Sequence, residues 1–353
     1  MQEHATLVGS ALDGKVEVIR LRWPEWLPDR VTADRYVRTG ARPSLGRAED
    51  AYVRDFDAAL AIADALLVSP WSWVCVPEFT SRRWALASRL KVVAGTFDHR
   101  FHGILRVAEA ARRNVVVVDT SRSMTPSVAE FALAMILNLL RDIPASVAAV
   151  RAGGWKADLD LSPYVNGELT GRRVGLAGFG SINRRLAELL EPFGCSVSAY
   201  DPYAAMSDNV RATRSLLELA AGSEVLVVGI PPTPATRAVI DAAVLAALPP
   251  GALLVLVTRM HVMDQAALRT RVLAGKIRAA VDVFDPEPPA PADPLRTSPH
   301  VLPTPHMAGD TLLGHRRCFL AACADTLAVL AGSAPRYPAS VHDDWVYRGA
   351  PAG

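Results

Sequence analysis

A glycine-rich turn followed at a set distance by an acidic residue is the first group with chemical potential in this 353-residue chain. Gly178, Gly180 and Asn183 occupy the first, third and sixth positions of the turn segment, and Asp201 follows at a separation of 201 − 178 = 23. Glycines let backbone amides approach a phosphate, and a carboxylate about 20 residues further on can accept the hydroxyls of a ribose. This spacing predicts a dinucleotide site, with a plain structural turn as the alternative.

The residues around the turn predict the strand, helix and strand that such a site requires. Val174 to Ala177 is a short apolar run typical of a buried parallel strand. Apolar residues then recur at helical spacing, and Gly194 stands where a left-handed residue would end the helix. Asn183 departs from the pattern, because the third glycine normally allows close packing of helix and strand. We expect its side chain to crowd that packing, or its amide to reach a phosphate.

Composition sets limits on the partners. Half of the residues are hydrophobic, 21% are charged, and the net charge of +2 gives no field that would attract nucleic acid. The longest apolar stretch, Phe131 to Leu140, is shorter than the roughly 18 residues that span a bilayer. We therefore expect no nucleic-acid or membrane partner and a cytoplasmic location. Reduced, buried thiols and no metal site are expected from the spacing of Cys75, Cys195, Cys318 and Cys323.

Alternating strand and helix patterns predict an α/β protein with parallel sheets. In the first 120 residues, the expected strands are Val16 to Leu21, Leu66 to Val68, Leu90 to Val93 and Val115 to Val118, and the expected helices are Ala51 to Ala65, Glu78 to Arg89 and Ala108 to Arg113. Thr125 is expected to cap a helix from Val128 to Leu140 that joins two domains. Beyond the turn, the pattern continues with strands at Val225 to Ile230, Ala252 to Val257 and Ala279 to Val283, and helices at Asp241 to Leu248, Met263 to Ala274 and Leu312 to Leu330.

Seven segments in this order resemble the D-isomer-specific 2-hydroxyacid dehydrogenases. They are SVAEFALAMIL at 127 to 137, the tryptophan loop at Trp155, ELTGRRVGLAGFGSI, PPTPATRAVID at 231 to 241, PPGALLVLVTR at 249 to 259, AAVDVFDPEP, and LPTPHMAG at 302 to 309. The resemblance covers about Ala63 to Leu330. It implies a Rossmann-type, doubly wound NAD-binding domain at 124–303. It also implies a smaller, flavodoxin-like substrate domain formed by both ends of the chain, at 1–123 and 304–353.

The family's working residues are an arginine, a glutamate and a histidine, matched here by Arg259, Glu287 and His306. The planar guanidinium of Arg259 suits two-point binding of the carboxylate and carbonyl of a 2-oxo acid. His306 can exchange a proton near neutral pH, and Glu287 is expected to orient its ring. In isolation, the histidine would be read as a loop residue and the glutamate as a solvated one. The resemblance implies hydride transfer between NAD(H) and a 2-oxo acid or D-2-hydroxy acid.

The same resemblance assigns the cofactor site. Asp201 is expected to hold the adenosine ribose and to repel a 2′-phosphate, which favours NAD, although a capping role before Pro202 stays open. Asp282 is expected to hold the nicotinamide carboxamide. The other implied cofactor residues are Gly178, Phe179, Gly180, Ser181 and Ile182 at the pyrophosphate, Ile230, Pro231 and Thr236 on the adenine and ribose side, and Val257, Thr258, Arg259, His306, Ala308 and Gly309 at the nicotinamide.

The substrate is expected at backbone amides after the strand that ends at Val93. Ala94, Gly95 and Thr96 are the implied residues, together with Arg259. Further side chains could join this pocket or lie elsewhere, namely Phe97, His99 and His102, expected either in the pocket or at the surface, and Trp71 and Trp73, expected as wall or floor. The family usually forms dimers through the bridging helix, so a homodimer is expected.

Substitutions at four positions relative to the family keep other functions open. Met260 replaces a glycine, Leu256 and Val257 replace a more polar pair, and Met124 replaces an asparagine. We expect a more apolar nicotinamide pocket that lacks one polar contact. Together with Asn183, these changes favour the alternative of a low-turnover NAD(H)-binding sensor that presents its closed form to a partner. Oxidation of a small non-hydroxy-acid such as formate or phosphite is a further alternative.

Overall fold

The chain forms two compact units. The computed structural model describes residues 11–12, 14–19, 21, 47–68, 76–97, 101, 104–155 and 167–340. The first unit comprises Met1–Met124 and Leu312–Gly353, and the second comprises Thr125–Thr311. Both ends of the chain therefore contribute to the first unit.

The first unit contains a three-stranded parallel sheet in the order β1-β2-β3. Its strands are β1 (Ala65–Leu67), β2 (Val92–Gly95) and β3 (Val116–Asp119), and its helices are α1 (Arg47–Leu60), α2 (Ser81–Leu86) and α3 (Val107–Arg112). The final helix of the chain, Leu312–Leu330, packs on all three strands. Each residue of β2 is buried, as expected of the central strand of a covered parallel sheet.

Several predicted elements of the first unit differ in the structure. The helix predicted from Ala51 to Ala65 spans Arg47–Leu60, and Ala65 begins β1. The helix predicted from Glu78 is shorter and begins at Ser81, because the Thr80 side chain accepts the Arg83 amide and caps it. No strand includes residues 16–19 or 21, the described part of the predicted strand Val16 to Leu21, so that prediction is wrong there.

The second unit contains a seven-stranded parallel sheet in the order β10-β9-β8-β7-β4-β5-β6. The strands are β4 (Arg173–Ala177), β5 (Ser196–Tyr200), β6 (Arg211–Ala212), β7 (Val225–Val228), β8 (Leu253–Leu256), β9 (Arg278–Val281) and β10 (Val301–Pro303). The helices are α4 (Thr125–Arg141), α5 (Ile143–Arg151), α6 (Ser181–Leu190), α7 (Leu216–Ala221), α8 (Ala242–Ala247), α9 (Gln265–Leu273) and α10 (Pro294–Thr297). The strand order reverses between β4 and β7, and ligands of such sheets bind at this switch point. The predicted doubly wound sheet is confirmed.

The helix α4 is the longest of the second unit. It continues a 3-10 segment, Thr120–Met124, so Thr125 lies within the helical stretch and the predicted cap at Thr125 is wrong. By length and composition alone, the stretch Thr120–Arg141 could cross a membrane. However, α4 packs on β8, β9 and α6, and this burial accounts for its apolar composition. Arg278 holds its end through Leu139 O and through Asp142, 2.8 Å away.

Residues 304–311 remain with the second unit. Thr304 N donates to Val281 O at 2.9 Å, and His306 N donates to Asp282 O at 2.7 Å. The hydroxyls of Ser127 and Thr311 lie 2.8 Å apart. The boundary predicted at 303/304 therefore moves to 311/312, because these hydrogen bonds tie the segment to the sheet of the second unit.

Three of the cysteines lie in the described part of the chain, and all three are free thiols. Cys318 and Cys323 are buried, as predicted, and burial raises the pKa of Cys323 to about 11. Cys195 is only partly buried; its thiol donates to Leu169 O, and burial raises its pKa. Cys75 lies outside the described residues.

Candidate active site

Arg259, Glu287 and His306 come together in the second unit. His306 Nδ1 lies 2.7 Å from Glu287 Oε2, and His306 Nε2 lies 3.5 Å from Arg259 Nη1. The three residues follow the carboxyl ends of β8, β9 and β10, which are adjacent strands. The sheet therefore places the ring between a carboxylate and a guanidinium.

The Glu287 carboxylate is ionised near neutral pH. Burial of this group opposes ionisation, but the hydrogen bond and charge of His306, the Phe284 amide and the charge of Arg259 outweigh it, so the pKa of Glu287 lies below its ordinary value. Its Oε1 atom accepts the Phe284 amide at 2.9 Å. An ionised carboxylate only accepts hydrogen bonds, so His306 Nδ1 must carry a proton. The Nε2 atom then faces Arg259 and is the atom available for proton exchange.

Asp282 holds the histidine segment in place. His306 has φ +54, a left-handed conformation that is uncommon for a residue with a side chain. Asp282 is 0% exposed; its Oδ1 accepts Thr304 Oγ1 at 2.7 Å and Met307 N at 3.0 Å, and its Oδ2 accepts Ala308 N at 2.9 Å. These hydrogen bonds give Asp282 a structural role in the segment that carries His306, and its contact with a carboxamide stays a prediction.

The glycine turn fits a dinucleotide. Gly178 has φ +82, and a Cβ there would lie 3.0 Å from the backbone of Gly229. A Cβ at Gly180 would meet nothing within 4 Å, so the backbone is open to an approaching group. The amides of Ser181 and Ile182 in the first turn of α6 have no acceptor within the helix, and the helix dipole there favours an anion. These residues would hold the pyrophosphate of NAD.

Phe179 and Asp201 are joined to each other. Phe179 is buried, and its amide donates to Asp201 Oδ2 at 2.8 Å. Asp201 Oδ1 accepts the amides of Tyr203 at 2.9 Å and Ala204 at 3.1 Å. No helix begins at residues 202–207, so the alternative of a helix-capping aspartate is wrong, and Asp201 holds the turn after β5 instead. Contacts of Phe179 with the pyrophosphate and of Asp201 with the ribose stay predictions.

Asn183 is accommodated without crowding the sheet. It is 1% exposed, and its Nδ2 donates to Gly178 O at 2.7 Å. The space for its side chain exists because Gly229 lacks one: a Cβ at Gly229 would lie 2.4 Å from Asn183 Nδ2. Both expectations for this residue are corrected, since it neither crowds the packing nor turns its amide toward a phosphate.

The loops after β7 and β8 carry the other predicted cofactor residues. Thr258 Oγ1 donates to Val228 O at 3.1 Å, and Thr236 Oγ1 donates to Pro231 O at 2.7 Å. Ile230, Val257 and Ala308 are buried, and Gly309 is partly exposed after them. Sequence reasoning missed His261, whose Nε2 donates to Thr233 O at 2.9 Å and ties the two loops together. Its position two residues after Arg259 was the available signal.

Two of the apolar substitutions, Leu256 at the end of β8 and Met260 in the loop after it, belong to the hydrophobic core. Met260 is 1% exposed and Leu256 is fully buried, and both belong to the hydrophobic core of the second unit. The expectation of a more apolar nicotinamide pocket is therefore wrong for these two side chains, because they point into the core.

In the first unit, the predicted substrate residues are held by the sheet. Ala94 lies within β2 and pairs with Leu67 and Val118, so its backbone is engaged in the sheet and its predicted substrate role is corrected. A Cβ at Gly95 would lie 2.9 Å from Val68 Cβ, so any residue with a side chain would clash at this position.

Two residues that sequence reasoning missed, Asp119 and Thr120, shape this loop. The hydroxyls of Thr96 and Thr120 lie 3.1 Å apart, and Phe97 N donates to Asp119 Oδ1 at 3.1 Å. Phe97 is fully buried, and Met124 is partly buried in the 3-10 segment. The remaining candidates lie outside the described residues, namely Trp71, Trp73, His99 and His102.

The fold and the site of the second unit define a class. A doubly wound sheet with a phosphate-binding turn at its switch point, and an arginine, histidine and glutamate at adjacent strand ends, is an NAD-binding oxidoreductase domain. Residues 133–308 match the sequence model described as "D-isomer specific 2-hydroxyacid dehydrogenase, NAD binding domain". The chain belongs to the D-isomer-specific 2-hydroxyacid dehydrogenase family, and its cofactor is NAD(H). The predicted family and cofactor are thereby confirmed.

Several dehydrogenases and reductases resemble this chain in sequence or in fold. The chain is 35% identical over 261 residues to the D-3-phosphoglycerate dehydrogenase of Mycobacterium tuberculosis, covering 72% of this chain and 47% of that protein. This chain thus spans about half the length of that relative. The crystal structure of the NADPH-dependent glyoxylate/hydroxypyruvate reductase from Sinorhizobium meliloti in complex with citrate superposes with a TM-score of 0.67 at 28% identity, covering 81% of this chain and 87% of that one. D-mandelate dehydrogenase from Rhodotorula graminis has the same fold, with a TM-score of 0.70, 24% identity, and 81% and 88% coverage.

Proposed function

We propose that this protein is an NAD-dependent dehydrogenase that reduces a 2-oxo acid or oxidises a D-2-hydroxy acid. The main support for this proposal is the geometry of three side chains. His306 lies 2.7 Å from the Glu287 carboxylate through Nδ1 and 3.5 Å from the Arg259 guanidinium through Nε2. The activities in the names of the relatives support the same reaction class. The substrate would be a small organic acid.

Each residue of the site would have a separate role in the reaction. NAD(H), when bound, supplies or accepts the hydride at the substrate carbon. Arg259 is always protonated and only donates hydrogen bonds, so it would bind the carboxylate and polarise the carbonyl. Protonated His306 would give its Nε2 proton to the carbonyl oxygen during reduction and take it back during oxidation. Glu287 would orient the ring through its hydrogen bond with Nδ1.

Asp201 supports a preference for NAD over NADP. A carboxylate at the ribose end of the site repels a 2′-phosphate. The Sinorhizobium meliloti relative is described as NADPH-dependent, so the preference has to be measured for this protein. We expect kcat/KM to be higher with NADH than with NADPH. The opposite order would show that Asp201 does not face the ribose.

The alternative of a low-turnover sensor loses two of the observations that motivated it. Met260 points into the core, and Asn183 is accommodated beside Gly229, so neither disturbs the cofactor site. No described contact favours formate or phosphite over a 2-oxo acid. The ordinary dehydrogenase reaction is therefore the function that the site supports best.

A homodimer remains part of the proposal. The helix α5 follows α4 directly and exposes Ile143, Val147 and Val150, which recur at spacings of four and three and so share one face. An apolar face of this kind supports burial against a second copy. We expect twice the monomer mass by light scattering at micromolar concentration, and a monomer would refute this part.

The reaction can be tested by following NADH consumption with a panel that includes glyoxylate and hydroxypyruvate. We expect turnover by the wild type and a loss of about 10²- to 10⁴-fold in His306→Ala, the usual contribution of a general acid. Glu188→Gln is the matched control, because Glu188 is exposed on α6, where it pairs with Arg185. NADH binding without turnover of any acid would favour the sensor. Wild-type rates in His306→Ala would refute the assigned proton donor.

A further inference from the structure

One peptide group of the cofactor turn is fixed at both ends. Its carbonyl, Gly178 O, accepts Asn183 Nδ2 at 2.7 Å, and its amide, Phe179 N, donates to Asp201 Oδ2 at 2.8 Å. Asn183 belongs to α6, and Asp201 follows β5. Two side chains from different elements therefore set the plane of the Gly178–Phe179 peptide.

The residue opposite Asn183 completes this arrangement. Gly229 follows β7, and its amide donates to Ala177 O at 2.8 Å. A Cβ at Gly229 would lie 2.4 Å from Nδ2 and 2.7 Å from Cγ of Asn183, well inside any real contact. A Cβ at Gly178 would in turn lie 3.0 Å from the Gly229 carbonyl carbon. Three residues thus share one closely packed space, and only Asn183 contributes a side chain to it.

The chemistry of Asn183 shows that its amide, and not only its volume, is used. Its Oδ1 atom is buried and makes no hydrogen bond within the described part of the chain. An unpaired buried acceptor is costly, and an apolar side chain would fill the same space without that cost. The Nδ2 atom is the part that the turn requires, because it satisfies a carbonyl at the base of the phosphate-binding segment.

We propose that Asn183 is a positioning residue for the cofactor turn and that it acts as a reciprocal pair with Gly229. Asn183 fixes the Gly178 carbonyl, so that the next amides, from Gly180 onward, are held toward the pyrophosphate. Gly229 supplies the space that Asn183 fills. This inference deepens the cofactor half of the proposed function and does not depend on the identity of the acid.

The pair can be tested with NADH affinity, measured by fluorescence, and with thermal unfolding. Asn183→Ala removes the donor to Gly178 O and should raise the dissociation constant for NADH roughly three- to tenfold, the usual effect of one hydrogen bond. Gly229→Ala should lower the melting temperature and weaken NADH binding, because its methyl group meets Asn183. The double variant Asn183→Ala, Gly229→Ala removes this clash and should recover stability and affinity relative to Gly229→Ala alone.

Glu188→Gln, on the same helix but exposed, is the control and should leave both measurements unchanged. Wild-type NADH affinity in Asn183→Ala would overturn the positioning role. A double variant whose losses equal the sum of the single losses would overturn the pairing. If Gly229→Ala does not fold, recovery of a folded double variant supports the pairing and failure of both refutes it. Wild-type protein that binds NADH but reduces no acid would refute the proposed reaction and leave this test intact.

Discussion

Replacement of Glu287 by glutamine probes the acid–base group with little change in shape. In the wild type, Oε1 accepts the Phe284 amide and Oε2 accepts His306 Nδ1. Glutamine has one acceptor oxygen, so its NH2 group must face either the Phe284 amide or the ring. In the first case two donors oppose each other. In the second case the ring must change its tautomer, and in both cases the negative charge beside the ring is lost.

The size of the effect follows from the contact that is lost. A hydrogen bond to a charged group contributes about 1.5–3 kcal/mol, and each 1.36 kcal/mol is tenfold in rate. We therefore expect Glu287→Gln to lower kcat/KM for 2-oxo acid reduction by roughly 10- to 150-fold. The dissociation constant for NADH should stay the same, since Glu287 contacts none of the residues at the glycine turn.

The assay is initial-rate reduction of the best 2-oxo acid across a pH series, with NADH binding measured in parallel. Glu287→Asp is the matched control, because it keeps the charge and shortens the reach. It should lower kcat/KM less than glutamine does. An unchanged kcat/KM in Glu287→Gln would falsify the assignment of Glu287 as the partner of His306.

Three further predictions concern binding and stability. Arg259→Lys should lower kcat/KM about a hundredfold with NADH affinity kept, because an ammonium group cannot make the two-point contact; equal kcat/KM would contradict that contact. In urea unfolding, Arg278→Ala should lose about 2–3 kcal/mol, since it leaves partly buried Asp142 without its ion pair, whereas Arg214→Ala at an exposed pair should change stability by less than about 0.5 kcal/mol. The pKa of Glu287 is lowered in the folded state, so its contribution to stability is present above its ordinary value of about 4.3 and is lost as pH falls through the lower folded value. The difference in melting temperature between wild type and Glu287→Gln should therefore shrink below about pH 4; a difference independent of pH would contradict this.

Patterns that are local in sequence predicted much of the fold. Helix α6 continues into a 3-10 segment, Glu191–Phe193, and Gly194 ends it with φ +63, as predicted. The helix Leu312–Leu330 has the predicted bounds. Such features depend on periodicity and backbone conformation within a few residues. The alternation of strands and helices along the chain on either side of the glycine turn likewise followed from sequence patterns.

The features that could not be predicted depend on residues far apart in the chain. Asn183 seemed to damage the turn because its compensation lies 46 residues away, 229 − 183, in a glycine with no motif around it. The partners of Asp282 are set by the path of the segment after β10. Met260 follows Arg259 directly, yet its side chain turns into the core. Sequence identifies which residues are unusual, but the packing decides what each one does.

The boundary at 311/312 has a consequence for how such an enzyme changes over time. Arg259, Glu287, His306 and the glycine turn are all encoded in one continuous stretch, Thr125–Thr311, whereas the first unit is built from the two flanking stretches. Insertions, exchanges or rapid mutation in the flanks therefore leave unaltered every residue proposed here for proton transfer and for binding the pyrophosphate.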